Sequence, residues 1–500
     1  MGLIDWMFKR TPEPKVTKKR GYAAAANVAR YGDLKSSRGS ADYELREGLA
    51  EVRSKIRFLA RNSSSLKRYI SLMRTNIVGV NGFRLQCRVR MTDGRMDVSL
   101  NTRVQDAWED FCAAPTTCGT LHMIDLTRQA VASWCRDGEV IWELVESSRY
   151  THGIAINPLE ADHLDETLNS KYEQTNNEIR MGVEINAQNQ PVAYHFLTSH
   201  PGDVSYYSPM TRRRYRRVPA DRVIHVYEKL RPGQTRGEPP ASSTVHGVKM
   251  LDGYREAETM GRRLRSALMG FFQKMSQTTA GIDELADDVD DADEVFEMNM
   301  EPGRLKSLPT GYEFKQFDPG GSQTDYKDFE SQAKKDIAMG VNISTMSHGM
   351  EVEGVSYSSG RTVAVEDRDY YKEMQGFFIR NMMTPVFRRW VVVSTLYHDA
   401  WPPSRRDAIT RSGKFRSRGW DWVDPAKDIR ANAEALATGQ TSLTQIAAQR
   451  GMDRDELLDE IQDDMEAARS RGLPVEQFFG MSDNVTSDVS DDDEDSESDG

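Results

Sequence analysis

GVNISTMSHGMEVEGVSYSSGRTVAVEDRDYY, residues 340–371, decides how the whole chain is read. Glycine, serine and methionine run from 341 to 360 without a Lys or Arg, directly ahead of a long helical pattern. Loops of this length inside a compact domain are uncommon, and they are usually functional or disordered. Why an unstructured stretch stands there, between two helices and deep in the chain, is answered by what lies on either side.

Upstream, DYKDFESQAKKDIAMG reads as a helix with Phe329, Ala333 and Ile337 on one face. Farther back, the Pro/Gly boundary RPGQTRGEPPASS (231–243) precedes a longer helical pattern. Its apolar stripe is Met250, Tyr254, Ala257, Leu264, Leu268, Phe271 and Met275, decorated by Arg255, Arg262, Arg263, Arg265 and Lys274. Between these two helices lie the acidic run GIDELADDVDDADEVFEMNMEP (281–302) and the strand-like RLKSLPTGYEFKQF. Downstream, a helical pattern from Ser358 to Tyr397 is interrupted by Pro385, where a kink is expected.

The N-terminal part changes period. Leu45, Leu49, Val52, Ile56 and Leu59, then Leu66, Ile70, Met73 and Ile77, predict two helices over 42–79, and VQDAWEDFCA and LTRQAVASWC predict two more. Asp137-Gly138 turns the chain into the strand EVIWELVE, after which the period falls to two. IRMGVEIN and PVAYHFLT make a hairpin around AQNQ, and RVIHVYE is a further strand. TRRRYRRV (211–218), the most basic run, could hold phosphates and stack on Tyr215. A charged hairpin tip or subunit contact is the plainer reading. Near the other end, TSLTQIAAQRGMDRDELLDEI has helix, turn, helix proportions. Asp455, Glu456, Asp459, Glu460, Asp463 and Asp464 would repel phosphates, so a packing pair is preferred to a DNA reader.

Five hundred residues exceed one core, so several domains or one elongated subunit are expected. No apolar run is long enough to span a membrane, so no membrane partner is expected. Basic residues follow the apolar ones at the start, the reverse of a secretory signal. Cys87, Cys112, Cys118 and Cys135 lack metal-ligand spacing and read as free thiols. The last twenty residues hold nine acids and account for most of the net charge of −11, so they read as a solvated, disordered tail. There is no P-loop, nucleophile elbow, HExxH or EF-hand pattern, so no catalytic residue, metal or cofactor is expected. His163 in EADHLDE is the one histidine closely flanked by acids. A metal or acid-base site is conceivable there, and solvated charge is the plainer reading.

The order of these elements resembles the lambda-type portal proteins of tailed bacteriophages. The segments that carry the resemblance are LARNSSSLKRYISLMRTNIVGVNG, EADHLDE with its hairpin, RVIHVYEKLRPGQTRGEPP, EPGRLKSLPTGYEFKQFDP, GVSYSSGR and GWDWVDPAKDIRANAEAL, spread over most of residues 30–465. The resemblance implies an α+β, elongated, portal-type subunit that assembles as a twelve-fold ring. A basic flexible leader (1–29) precedes a wing of helices and β elements (30–243). Stem helices 244–276 and 323–340 flank a small α/β clip (277–322), and a tunnel loop follows (341–359). Then come a kinked wing helix (360–404), an α-helical crown (405–480) and the acidic tail (481–500). It also implies partners: other copies of the chain, double-stranded DNA held without sequence preference in an axial channel, and the large subunit of the terminase motor. Head-completion or adaptor proteins and the major capsid and scaffolding proteins complete the set.

Under this resemblance the opening stretch becomes the loop that meets DNA, lined by Asn342, Ser344, Thr345, Met346, Ser347, His348, Met350, Ser356, Tyr357 and Ser358. The absence of Lys and Arg suits a conduit, because each phosphate contact adds salt-dependent grip that opposes sliding. Arg262, Arg263, Arg265 and Lys274 would belong to the stem, facing the channel or a neighbouring subunit. Asp287, Asp288, Asp290, Asp291, Asp293 and Glu294 would form an acidic clip collar for terminase or adaptor docking, or else a disordered acidic insertion.

Overall fold

The computed structural model describes residues 38–203, 214–266, 270–274, 312–316, 323–349, 356–397, 399–420, 425–449 and 454–473. The two helices expected over 42–79 form as α1 (Ala41–Asn62) and α2 (Ser64–Met73), followed by a π turn at Arg74–Val78. Ser40 caps α1 by accepting the Tyr43 amide, and Leu49, Ile56 and Leu59 form its buried stripe. After β1 (Arg84–Cys87) come α3 (Val98–Ala113) and α4 (Met123–Asp137). Helix α4 stops at Gly138, which has φ 84° and returns its amide to the Trp134 carbonyl.

From Gly138 the chain enters β2 (Glu139–Glu146), which pairs antiparallel with β3 (Ile154–Leu159). A separate antiparallel sheet runs in order through β4 (Ser170–Lys171), β5 (Glu178–Arg180), β6 (Val183–Ile185), β7 (Pro191–Leu197) and β8 (Tyr215–Pro219). Strand β9 (Val223–Tyr227) then returns to the free edge of β2.

Two long helices follow, α5 (Val245–Ser266) and α6 (Gln323–Gly340), with a hairpin of β10 (Gly270–Lys274) and β11 (Tyr312–Gln316) between them. The expectation of one helix through Met275 is therefore corrected. Helix α5 ends at Ser266, and Phe271 and Lys274 belong to a strand. Gly270 and two consecutive phenylalanines favour extended backbone, and the pairing with 312–316 supplies the hydrogen bonds. At about 1.5 Å per residue α5 is roughly 33 Å long.

Beyond α6 come α7 (Thr345–Gly349), α8 (Tyr357–Phe378) and α9 (Thr384–Ser394). The interruption expected at Pro385 takes the form of a π turn at Ile379–Met383 joining α8 to α9. It shifts the hydrogen-bond frame so that the proline, which has no N–H to give, falls in the first turn of a new α segment. The remaining elements are α10 (Arg406–Ser412), β12 (Gly413–Arg416), α11 (Pro425–Ala437), α12 (Leu443–Gln449) and α13 (Arg454–Ser470).

One large core gathers α1–α4, α8, α9 and the inner face of β2, and a smaller one joins Leu164, Val183, Tyr194 and Phe196 to Ile141. An aromatic group of Trp108, Phe111, Phe387 and Trp390 centres the large core. Ile409 of α10 is buried there, Phe415 of β12 packs on Trp108, and β12 pairs antiparallel with β1. Residues of α10 and β12 are thus built into the same large core as α3 and α9. Cys87, Cys112, Cys118 and Cys135 are all unpaired.

Where α1, β2, β9 and the 161–181 segment meet, a knot of charges is buried. Glu139 takes Arg236 at 2.5 Å, Arg53 at 2.8 Å, His225 at 3.0 Å and the Gly237 amide at 3.1 Å. All five N–H donors of Arg236 are used, on Glu139 and on the carbonyls of Leu164, Met181 and Ala161. Arg53 adds Glu166 at 2.9 Å and the Asp137 carbonyl at 2.8 Å, so two guanidiniums face two carboxylates. Burial alone would raise the Glu139 carboxyl, but Arg236, Arg53 and His225 hold it well below the usual range. Burial lowers His225 in spite of Glu139, which keeps the imidazole neutral.

The knot explains both glycines of the surrounding motifs. A Cβ on Gly237 would stand 2.1 Å from the Gly138 carbonyl oxygen and 2.7 Å from Tyr227 Cβ. Gly237→Ala should therefore cost about 2–3 kcal/mol, read as a lowered urea midpoint. Gly253→Ala, in the middle of α5 with nothing within 4 Å, should instead stabilise by about 0.5–1 kcal/mol. Equal effects of the two would overturn this account of the contact.

Candidate functional site

The quoted stretch is not one unstructured loop, and its first half is corrected to a folded root. Helix α6 closes with Asn342 in the left-handed region, at φ 54°. The Ile343 amide reaches the Ala338 carbonyl and the Asn342 amide reaches Met339, a Schellman closure in which asparagine takes the usual place of glycine. Asn342 thus ends a helix. Ser344 then caps α7 by accepting the Ser347 amide.

Asp367 of α8 holds this root. Its carboxylate accepts the Ser344 amide at 2.9 Å, the Ser344 hydroxyl at 2.6 Å and the Ser347 hydroxyl at 2.5 Å. On the other side Arg68 donates to the Ser347 carbonyl at 3.2 Å. His348, buried and pushed by that burial toward the neutral form, bonds the Ser65 carbonyl at 3.1 Å. Ser344, Ser347 and His348 are therefore committed to α2 and α8, and Thr345 and Met346 remain half-exposed beside them.

Met350, with 351–355, lies outside the described residues. Ser356 is exposed and caps α8 through the Ser359 amide, and Ser358 is exposed next to it. Tyr357 begins α8. The root's anchor was missed from sequence, although a signal existed. Asp367, Tyr371, Met374 and Phe378 share one helical face, and all four are buried, so an acid stands in an apolar stripe.

The two long helices pack through Tyr254, which stacks on Tyr326 and meets Phe329 at 4.2 Å between ring centroids, and through Arg255 on Glu330 at 2.6 Å. Arg262 pairs with Glu258 of its own helix and lies 5.2 Å from the Tyr326 ring centroid, so it is engaged within the chain. Arg263 is exposed on α5 and Arg265 is in its last turn. Asp287, Asp288, Asp290, Asp291, Asp293 and Glu294 lie outside the described residues.

The basic run is corrected from a phosphate grip, at least for its described part. Arg216 is paired with Glu143, and Arg217 with Glu184 at 2.8 Å while lying over Tyr172. Tyr215 donates to Asp165 at 2.6 Å. Burial would raise the Glu184 carboxyl, but hydrogen bonds from Arg217, Asn177 and His195 hold it down to about 2.

EADHLDE likewise is mostly wiring: Asp162 pairs with Arg57, Glu166 with Arg53, and Asp165 with Thr167 and Tyr215. The solvated-charge reading is corrected for these acids. Glu160, Asp162 and His200 do converge, with His200 Nε2 3.1 Å from Glu160 and 3.4 Å from Asp162. His200 Nδ1 accepts the Gly202 amide, however, which places the proton on Nε2 and leaves that nitrogen no lone pair for a metal. A metal-ligating histidine has the reverse arrangement.

The sequence matches the family described as phage portal protein, lambda family, over residues 29–375. It is 29% identical to a probable portal protein of Halomonas phage phiHAP-1, covering 97% of this chain and 93% of that one. It is 22% identical to portal protein B of Escherichia phage lambda over 83% of each. Among solved structures, a chain in the neck of an empty GTA particle superposes with a TM-score of 0.43 at 14% identity, covering 81% of this chain and 94% of that one. The family match runs from ahead of α1 through the Asp367 anchor and into the apolar face of α8. The chain belongs to the lambda family of phage portal proteins.

Proposed function

We propose that twelve copies of this chain close into a ring at one capsid vertex and that double-stranded DNA is packaged and later ejected through its axis. Helices α5 and α6 form the stem of that ring. The segment leaving α7 is the loop that approaches DNA at the narrowest point. The observation that carries this reading is the anchored root: Asp367, Arg68 and Ser65 fix both sides of α7, while the stretch from 341 to 360 itself carries no Lys or Arg. A firmly rooted, weakly interacting loop suits a conduit, because a grip on phosphates would oppose sliding.

The 277–322 segment is proposed as the clip, with its acids from Asp287 to Glu294 offered to basic surfaces of the terminase large subunit and of head-completion proteins. The major capsid and scaffolding proteins would surround the wing.

The test is the particle mass of the purified chain, with electron micrographs. A ring of about twelve subunits with a hole of duplex width is expected. A monomer that stays monomeric in the presence of scaffolding protein would defeat the ring, and neutralised clip acids with undiminished terminase binding at low salt would defeat the docking role.

A further inference from the structure

We propose that the ribbon formed by β1 and β12 is a second DNA-binding surface, taking the phosphate backbone of duplex DNA, and that α13 covers it. This rests on the proposed passage of DNA beside the protein. The ribbon alternates strictly. Leu85, Cys87 and Phe415 turn to the core, while Arg84, Lys414 and Arg416 turn outward and are exposed. Arg84 stands directly opposite Arg416, and neither strand carries an acid. Arg88 and Arg90 continue the edge, on either side of buried Val89.

Acidic side chains of α13 occupy this surface now. Glu460 bridges Arg88 and Arg416, and Asp459 takes Arg90 at 2.7 Å. Among the described residues, Glu460 and Asp459 thus take three guanidiniums between them. The cover is held by charge and not by apolar packing. Among the described residues α13 gives none to either buried core, Leu458 is exposed, and the Arg90–Asp459 pair is about half exposed on both sides. Exposed ion pairs of this kind are worth about 0–1 kcal/mol each. Phosphates present the same charge and geometry to arginine, and they gain further from counterion release. The acids that rule α13 out as a DNA-reading helix make it a fitting substitute for DNA.

The test uses the full chain and a short duplex. In Asp459→Asn/Glu460→Gln, Arg90 and Arg416 lose these carboxylates and become available to phosphate. At about 0.9 counterion per contact, affinity should then fall about 12-fold more between 50 and 200 mM salt than for the unaltered chain. Adding Arg88→Gln, Arg90→Gln and Arg416→Gln should return the original salt dependence. A double variant with native circular dichroism and unchanged salt dependence would overturn the proposal, as would a gain that survives the triple substitution. Tighter binding of polyglutamate than of DNA at equal salt would overturn it in favour of an acidic protein partner. A chain that forms no ring yet shows the arginine-dependent gain would sink the conduit reading and support this surface.

Discussion

Glu139→Gln should be among the most damaging single substitutions in the chain. It removes the carboxylate that pairs with both Arg53 and Arg236, which are 1% and 0% exposed in their side chains, and leaves two buried guanidiniums without their shared counter-charge. Breaking a buried pair on one side costs about 3–5 kcal/mol. That is a large part of the roughly 5–15 kcal/mol that holds a typical domain. The expected result is a sharply lowered urea midpoint, followed by fluorescence of buried Trp134 and Trp142. Asp369→Asn, which breaks an exposed pair with Lys372, should stay within about 1 kcal/mol. A Glu139 effect as small as that control would show that the knot contributes no specific stability.

The knot also fixes the sign of acid sensitivity. Glu139 has a folded-state pKa below its unfolded value, so its contribution is present above the carboxylate range and is lost as pH falls through the folded pKa. His225 is lowered as well, so the unfolded chain takes up its proton first, and stability declines as pH drops below about 6.5. Both groups act in the same direction, and the histidine acts first. His225→Gln should flatten the stability profile between about pH 6.5 and 5, and an unchanged slope there would count against the buried neutral imidazole.

Asp367→Ala should free the root of the proposed channel loop without dismantling the large core. Three hydrogen bonds converge on this carboxylate, and hydrogen bonds to a charged group contribute about 1.5–3 kcal/mol each. Exchange of the His348 amide, which bonds the Ser344 carbonyl, is expected to rise roughly 1,000-fold, while amides of α4 keep their protection. Under the proposed function, such rings assemble but particles retain less DNA. Unchanged exchange would show that Arg68 and Ser65 suffice to hold α7. Lysine at Ser344 or Ser347 would break the anchor as well as add charge. Thr345→Lys and Met346→Lys are the clean probes of contact with DNA, and unaltered packaging and retention in both would argue that this part of the loop does not touch it.

The helices and strands were legible in the sequence because periodicity is local. Leu49, Ile56 and Leu59 announce α1 whatever surrounds them, and Asp137-Gly138 announces a turn because a left-handed residue is needed there. The order of long helix, small acidic module, return helix and Gly/Ser-rich stretch, with motifs such as RPGQTRG and GVSYSSGR, was enough to indicate the family. Tertiary structure decided what the polar residues do. Arg53 and Glu166 are 113 positions apart, Arg88 and Glu460 are 372, and no pattern along the chain says that they meet. The same holds for Ser344, which reads as a loop residue until Asp367 arrives 23 positions later from the next long helix. Apolar burial follows a repeat that any short window displays. A charge or a hydroxyl, in contrast, is satisfied by one partner at about 3 Å, and only the folded chain brings that partner within reach.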